Sequence, residues 1–204
     1  MNDQYYTRDP GSASAPQSFS VHVCGLDLRF TSDAGVFSKG ELDRGTRVLL
    51  ETLPPLTGSV LDLGCGWGAV GVTLARANPG LRVTMADVNR RALDLAAANA
   101  RANNADCEVL ESDGFGALAG RVFDTVVTNP PIRAGKQVIY RMFADAAAHL
   151  AHCGALYIVI RKQQGAESAV RYLSSLYQTV EKLEKSGGFW VLRASGPKEA
   201  SADV

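Results

Sequence analysis

Apolar residues alternate from Phe19 to Phe30: Phe19, Val21 and Val23, then Leu26, Leu28 and Phe30, with Gly25 between the two runs. Period-two alternation on either side of a glycine predicts a β-hairpin. Residues 31–40 are polar and punctuated by glycine, with Val36-Phe37 as a lone apolar pair. Such a loop either caps a pocket or joins two elements. Residues 42–53 have helical spacing and stop at Pro54-Pro55. Beyond them, short apolar runs at 60–63, 81–86, 107–110, 123–128 and 155–160 predict five strands. Helical stretches at 68–78, 89–103 and 136–150 separate most of these, while the piece after the third strand is short helical or irregular. Residues 155–160 are apolar at every position, as a central parallel strand covered on both faces requires. A helix at 167–176 follows, then a closing hairpin of 179–185 and 189–194 around Ser186-Gly187-Gly188.

Strand and helix in alternation predict an α/β fold. It is a doubly wound, mostly parallel, seven-stranded sheet, with a C-terminal antiparallel hairpin that adds one antiparallel strand and an N-terminal β-hairpin as a cap. Residues 1–16 read as a flexible tail on which only Tyr5-Tyr6 offers much to bury. The hairpin and capping loop take 17–45, and the main domain takes 46–198.

Composition changes this picture little. A chain of 204 residues with 46% apolar residues suits one domain with a sizeable core. Lys and Arg number 21 and so do Asp and Glu, which argues against a general nucleic-acid coating protein but leaves room for a local basic face. The four cysteines (Cys24, Cys65, Cys107, Cys153) are far apart, and the three histidines have no ligand spacing. No metal site and no disulfide framework is expected. With no basic-then-apolar leader and no apolar run long enough for a bilayer, a cytoplasmic protein without a membrane partner is expected.

The chemistry gathers where the predicted strands end. Val60, Leu61 and Leu63 run into a turn containing Gly64, Gly66 and Gly68, and a helix follows. Glycines there admit positive φ and close approach of a ligand, and the helix offers free N–H groups. Gly64-x-Gly66-x-x-Ala69 also fits a dinucleotide fingerprint loosely. Asp62, two residues before the first glycine, tilts the reading away from it. Its carboxylate repels a pyrophosphate but not the sulfonium and ammonium of S-adenosylmethionine. Asp87 ends the second strand, where an acid accepts from both ribose hydroxyls of an adenosine. Asp113, at the end of the third, suits the adenine amino group. Asn129-Pro130-Pro131 ends the fourth. Residues before proline are extended and prolines have no N–H, so this loop presents carbonyl acceptors with few competing donors. A planar NH2 needs two acceptors, and the Asn129 side-chain oxygen and the Pro130 carbonyl supply them.

Asp62-Leu-Gly-Cys-Gly66, Asp87, Asp113 and Asn129-Pro130-Pro131 occur in the order and spacing of amino-directed class I S-adenosylmethionine-dependent methyltransferases, and the chain resembles that Rossmann-like family. Residues 30–40 with Leu42-Asp43-x-Gly45 look like the opening of its "methyltransferase small" branch, which includes the RsmC-like ribosomal RNA guanine-N2 methyltransferases. The resemblance covers about 19–194. It implies S-adenosylmethionine as cofactor, held by Asp62, Gly64, Cys65, Gly66 and Gly68, by Asp87 with Val88, by Asp113 with Gly114, and by Asn129. It implies catalysis by Asn129, Pro130 and Pro131, and ribosomal RNA or a ribosomal subunit as partner. Phe37, Ile132, Arg133 and Lys136 are the substrate-side candidates, with Arg161-Lys162 as further phosphate contacts. Two departures stand out. RsmC-like enzymes carry a second, degenerate domain ahead of this one. Many relatives also follow Asn-Pro-Pro with a stacking aromatic where this chain has Ile132; Phe37 or Trp190 are the aromatic substitutes. The local chemistry suits any planar NH2, so a protein glutamine amide and adenine N6 stay open as targets, as does a noncatalytic cofactor-binding module of an RNA-modifying complex.

Overall fold

The computed structural model describes residues 7–198, so the Tyr5-Tyr6 pair and the last six residues lie outside it. Its main body is one seven-stranded sheet: β3 (Ser59–Leu63), β4 (Arg82–Asp87), β5 (Cys107–Glu111), β6 (Phe123–Thr128), β7 (Leu150–Arg161), β8 (Tyr177–Ser186) and β9 (Phe189–Pro197). The strand order is β5-β4-β3-β6-β7-β9-β8. All neighbouring pairs up to β7 are parallel, while β9 runs antiparallel between β7 and β8. Since β8 opposes β9, the closing hairpin contributes a single antiparallel strand, as its sequence predicts.

Alternate residues of each strand feed two cores. Val60, Val127, Tyr157, Val159 and Val191 face the layer of helices α1 (Arg44–Thr52), α2 (Ala69–Ala77) and α3 (Arg90–Ala102). Leu61, Val126, Leu156, Ile158, Trp190 and Leu192 face α4 (Lys136–Ala148) and α5 (Ala166–Leu176). Burial on both faces is why 155–160 has no polar position. Trp190 is spent on this second core, so it supplies no aromatic face to a substrate. The predicted strand at 155–160 is the central part of a longer one; Leu150–Arg161 includes the polar His152 and Cys153, which hide its start. Between β5 and β6 there is no helix, only turns at 112–122.

β1 (Gln17–Val23) and β2 (Leu26–Ser32) form the separate N-terminal hairpin. It docks through Val21, Val23, Leu28 and Phe30, the apolar side of its alternation. Its free edge is closed by two side chains, Asn99 of α3 and Asn103, which caps that helix. Asn103 accepts from the Arg29 N–H at 2.9 Å and donates to the Arg29 carbonyl at 2.7 Å. Asn99 accepts from the Thr31 N–H at 2.8 Å and donates to the Thr31 carbonyl at 2.9 Å. Two residues of strand rise nearly match four residues of helix rise, so the amides imitate a neighbouring strand. The described part of the tail has no regular element but is tethered. The Ser14 hydroxyl and the Ala15 N–H bond to Asp33, and Arg91 reaches the Ser12 carbonyl at 2.9 Å.

Candidate active site

The strand order reverses at β3: β4 and β5 lie to one side and β6 to the other. Ligand clefts in open α/β sheets form at the carboxyl ends of such strands. Here a cleft of about 350 Å³ opens between the turns after β3, β4, β5 and β6. Asp62, Gly64, Cys65, Gly66, Asp87, Val88, Asp113, Gly114, Asn129, Pro130, Pro131 and Phe37 all line it. The strand ends therefore bring nearly every cofactor candidate together.

Backbone geometry explains the glycines. Gly64 and Gly66 sit at φ 72° and 55°, and a Cβ on either would meet only open space. The positive φ is what requires glycine there. Gly68 is different. It caps α2 at φ 90°, and a Cβ would press on Ala96 and Met85, so it serves helix packing and does not line the cleft. Asp62 is buried and accepts from the Gly71 N–H at 2.8 Å. Burial pushes its carboxyl up to about 7; the Gly71 bond opposes this, and the charge on Asp87 adds to it. Asp87 anchors the glycine turn, accepting from Gly66 N–H at 2.8 Å and Asn89 N–H at 2.9 Å. Burial raises its carboxyl too, against the pull of backbone N–H groups. The Cys65 thiol is held well above its usual range by burial and by both aspartates, so it is a packed, protonated thiol and no nucleophile.

At the other end of the cleft Asn129 is half-buried. Its Nδ2 donates to Thr46 Oγ1 at 3.0 Å and lies 3.5 Å from both Asp43 oxygens. Asp43 in turn caps α1, accepting from Gly45 and Thr46 N–H. With its nitrogen engaged by α1, the Asn129 amide keeps its oxygen for the cleft. Sequence reasoning missed Asp43 and Thr46, although Leu42-Asp43-x-Gly45 marked their position; a helix cap has no sequence signal for its second task. It also missed Trp67, a cleft residue whose Nε1 donates to the Phe37 and Ser38 carbonyls and pins the capping loop over the opening. One side of α4, Val138, Arg141, Met142 and Asp145, forms a further wall.

Ile132, Arg133 and Lys136 are not in the lining. Ile132 packs against the second core, and Arg133 lies on the short turn Ile132–Ala134. Lys136 Nζ stands 5.0 Å from the centre of the Tyr140 ring. Phe37, by contrast, is exposed at the cleft.

The lining carries five aspartates, Asp43, Asp62, Asp87, Asp113 and Asp145. Its one cation, Arg141, is 3.5 Å from Asp145. Such a surface repels a dinucleotide pyrophosphate and suits a cofactor with a sulfonium, an ammonium and ribose hydroxyls. The residues present fit S-adenosylmethionine. Among the described residues, no cluster of His, Cys, Asp or Glu is placed to hold a metal, and no helix is long and apolar enough to cross a membrane.

Comparisons agree with this geometry. The family model for the methyltransferase small domain matches residues 27–193. An uncharacterized protein of Bacillus subtilis, YbxB, is 39% identical over 198 residues, covering 95% of this chain and 98% of its own. Ribosomal RNA small subunit methyltransferase C of Vibrio cholerae is 37% identical over 147 residues, covering 70% of this chain and 43% of its own. Among solved structures, the Thermus thermophilus 16S rRNA N2 G1207 methyltransferase (RsmC), in complex with AdoMet and guanosine, superposes with a TM-score of 0.82 at 29% identity. That match covers 90% of this chain and 51% of the other, so the chain spans about half the length of the methyltransferase C proteins it matches.

Proposed function

From the premise that the chain belongs to the methyltransferase small domain family and uses S-adenosylmethionine, we propose that it methylates the exocyclic N2 amine of a guanine in ribosomal RNA. The observation that carries the reading is Asn129, whose amide nitrogen is bound by Thr46 at 3.0 Å while its oxygen is left to an acid-lined cleft. The guanine target is supported by the methyltransferase C relatives, whose names specify ribosomal RNA and, for the Thermus enzyme, N2 of a guanine.

When bound, the cofactor supplies an electrophilic methyl group on a sulfonium. Asp62 would face its cationic groups, Asp87 would hold its ribose hydroxyls and Asp113 its adenine amino group, with Gly64 and Gly66 allowing close approach. An exocyclic amine is a poor nucleophile because its lone pair is delocalised into the ring. The Asn129 oxygen and the Pro130 carbonyl accept its two hydrogens and turn the lone pair out of the ring plane. Thr46 keeps the amide from rotating and presenting its NH2 instead. Alignment of this kind contributes up to several kcal/mol, and no covalent enzyme intermediate is needed. Asn129 is no base, so the proton leaves to water after transfer. A guanine inside a helix cannot reach the cleft and must be unstacked. Phe37, exposed at the opening, is the aromatic surface available to receive it.

The test is transfer of a labelled methyl group to ribosomal RNA, assembled subunits and total protein, followed by nucleoside analysis. N2-methylguanosine in RNA is the expected product. Label in N6-methyladenosine or in a protein glutamine would overturn the target while keeping the chemistry. No transfer to any of these, with cofactor bound, would leave a noncatalytic binding module.

A further inference from the structure

Five exposed cations from three parts of the chain flank the tip of the β8–β9 hairpin, Arg44 and Arg161 on the face of the first core and Lys182 and Lys185 on the face of the second. Arg161 ends β7 and Lys162 follows it, its N–H donating to the Gly188 carbonyl at 2.8 Å. The Arg161 guanidinium lies 5.0 Å from the centre of the Phe189 ring. Lys182 and Lys185 of β8 lie 4.4 and 5.5 Å from the Trp190 ring. Arg44, at the start of α1, rests its guanidinium against Gly187, in the space a Cβ there would fill. Arg8, Arg47, Arg90, Arg91, Arg121, Arg141 and Arg193 each face a carboxylate. None of the ion pairs among the described residues includes the five at the hairpin tip. Of the acids nearby, Glu181 is bound to Arg193. Glu184 pairs in register with Val191, whose side chain enters the first core, so it projects to the face of Arg44 and Arg161, opposite Lys182 and Lys185. The tip is continuous with the cleft: Phe189 packs on Gly45, between the Arg44 at the tip and the Thr46 in the lining.

We infer that this hairpin tip is a platform for the phosphate backbone of the RNA whose base enters the cleft. The inference rests on the RNA reading proposed above and adds where the strand lies. Trp190 is buried and Phe189 is covered by Arg161 and α1, so neither ring is open for base stacking. Contact here is made by charge, without sequence preference, and base choice is left to the cleft. A platform beside the opening also holds the flanking nucleotides while the target base is unstacked.

The experiment measures binding of a ribosomal RNA fragment as salt is varied. It compares the full chain with a Lys162→Ala, Lys182→Ala, Lys185→Ala triple variant and the corresponding triple Lys→Arg variant. Losing three phosphate contacts should flatten the slope of log K against log salt by about 2, at about 0.7 per contact on a single strand, and weaken binding roughly tenfold or more at moderate salt. The Lys→Arg variant should keep the wild-type slope, and cofactor affinity should be equal in all three. A triple Ala variant with an unchanged slope, beside a wild type that binds RNA, overturns the platform alone. A wild type that neither binds nor methylates RNA overturns the functional reading first and the platform with it.

Discussion

Single residues of the cleft are tuned for a charged, oriented occupant. If Asn129 accepts from the target amine, Asn129→Ala should lower the single-turnover rate by roughly a hundredfold or more, as when one preorganised polar group is removed. Thr46→Val is the finer probe, because it keeps the volume of the side chain and deletes the oxygen that holds Asn129 Nδ2. We expect about a tenfold loss of rate with cofactor affinity intact, since the cost is one misoriented amide. Asp62 gives a different test. Its carboxyl is raised to about 7 by burial, so the folded state favours the protonated form. That contribution is fully present below the unfolded value near 4 and is lost as pH rises through 7. The cofactor-free protein should therefore lose stability between about pH 4 and 7. Asp62→Asn keeps the acceptor for Gly71 N–H and removes the charge. Scanning calorimetry at pH 8 should show a higher melting temperature, by about 2–4 °C per kcal/mol recovered, together with weaker S-adenosylmethionine binding. A variant that melts lower at pH 8 would show that the charge is not a burden.

Elements were the most legible scale, and their side-chain partnerships the least. Periodicity located the strands that end on Asp87, Asn129 and Arg161, because buried strands must be apolar and the residue beyond each is free to be polar. The strand-end acids and Asn129 could be assigned to one cleft for the same reason. The clasp between Asn129 and Thr46 spans 83 positions of chain, and no local pattern announces it. Asn99 and Asn103 are a stronger case. Nothing in the alanine-rich stretch marks them for burial, yet both are buried and engage the edge of β2 some 70 positions earlier. Asn99 also donates to the Trp67 carbonyl at 2.8 Å, joining the hairpin to the glycine turn. Replacing either asparagine by Ala leaves part-buried backbone groups of β2 without their partners, at about 1–3 kcal/mol. Urea denaturation should show this loss for each variant, and the double variant should lose less than the sum, since the first already frees the hairpin edge. Asp or Leu at these positions would do no better, because an ionised Asp accepts without donating and Leu does neither.

At the scale of the molecule, alternation of strand and helix implied the doubly wound sheet, and the Ser186-Gly187-Gly188 turn implied the closing hairpin. The insertion of β9 between β7 and β8 was not legible, because pairing order depends on which edge is open, and that is settled only when the layers pack. The same limit hid the wall of α4 in the cleft. The N-terminal hairpin, finally, has a consequence for motion. A lone two-stranded hairpin opens readily, and its amides should exchange with solvent within seconds to minutes. Here the Arg29 and Thr31 amides are locked onto α3, and α3 begins at Asn89, whose Nδ2 also donates to the Gly35 carbonyl of the capping loop. Hairpin, loop and helix thus open as a unit, and Asp87 stands two residues before that helix cap. Occupying the cleft should slow deuterium uptake not only in the glycine turn but across β1, β2 and the capping loop. Amides far from any ligand contact would then report its arrival.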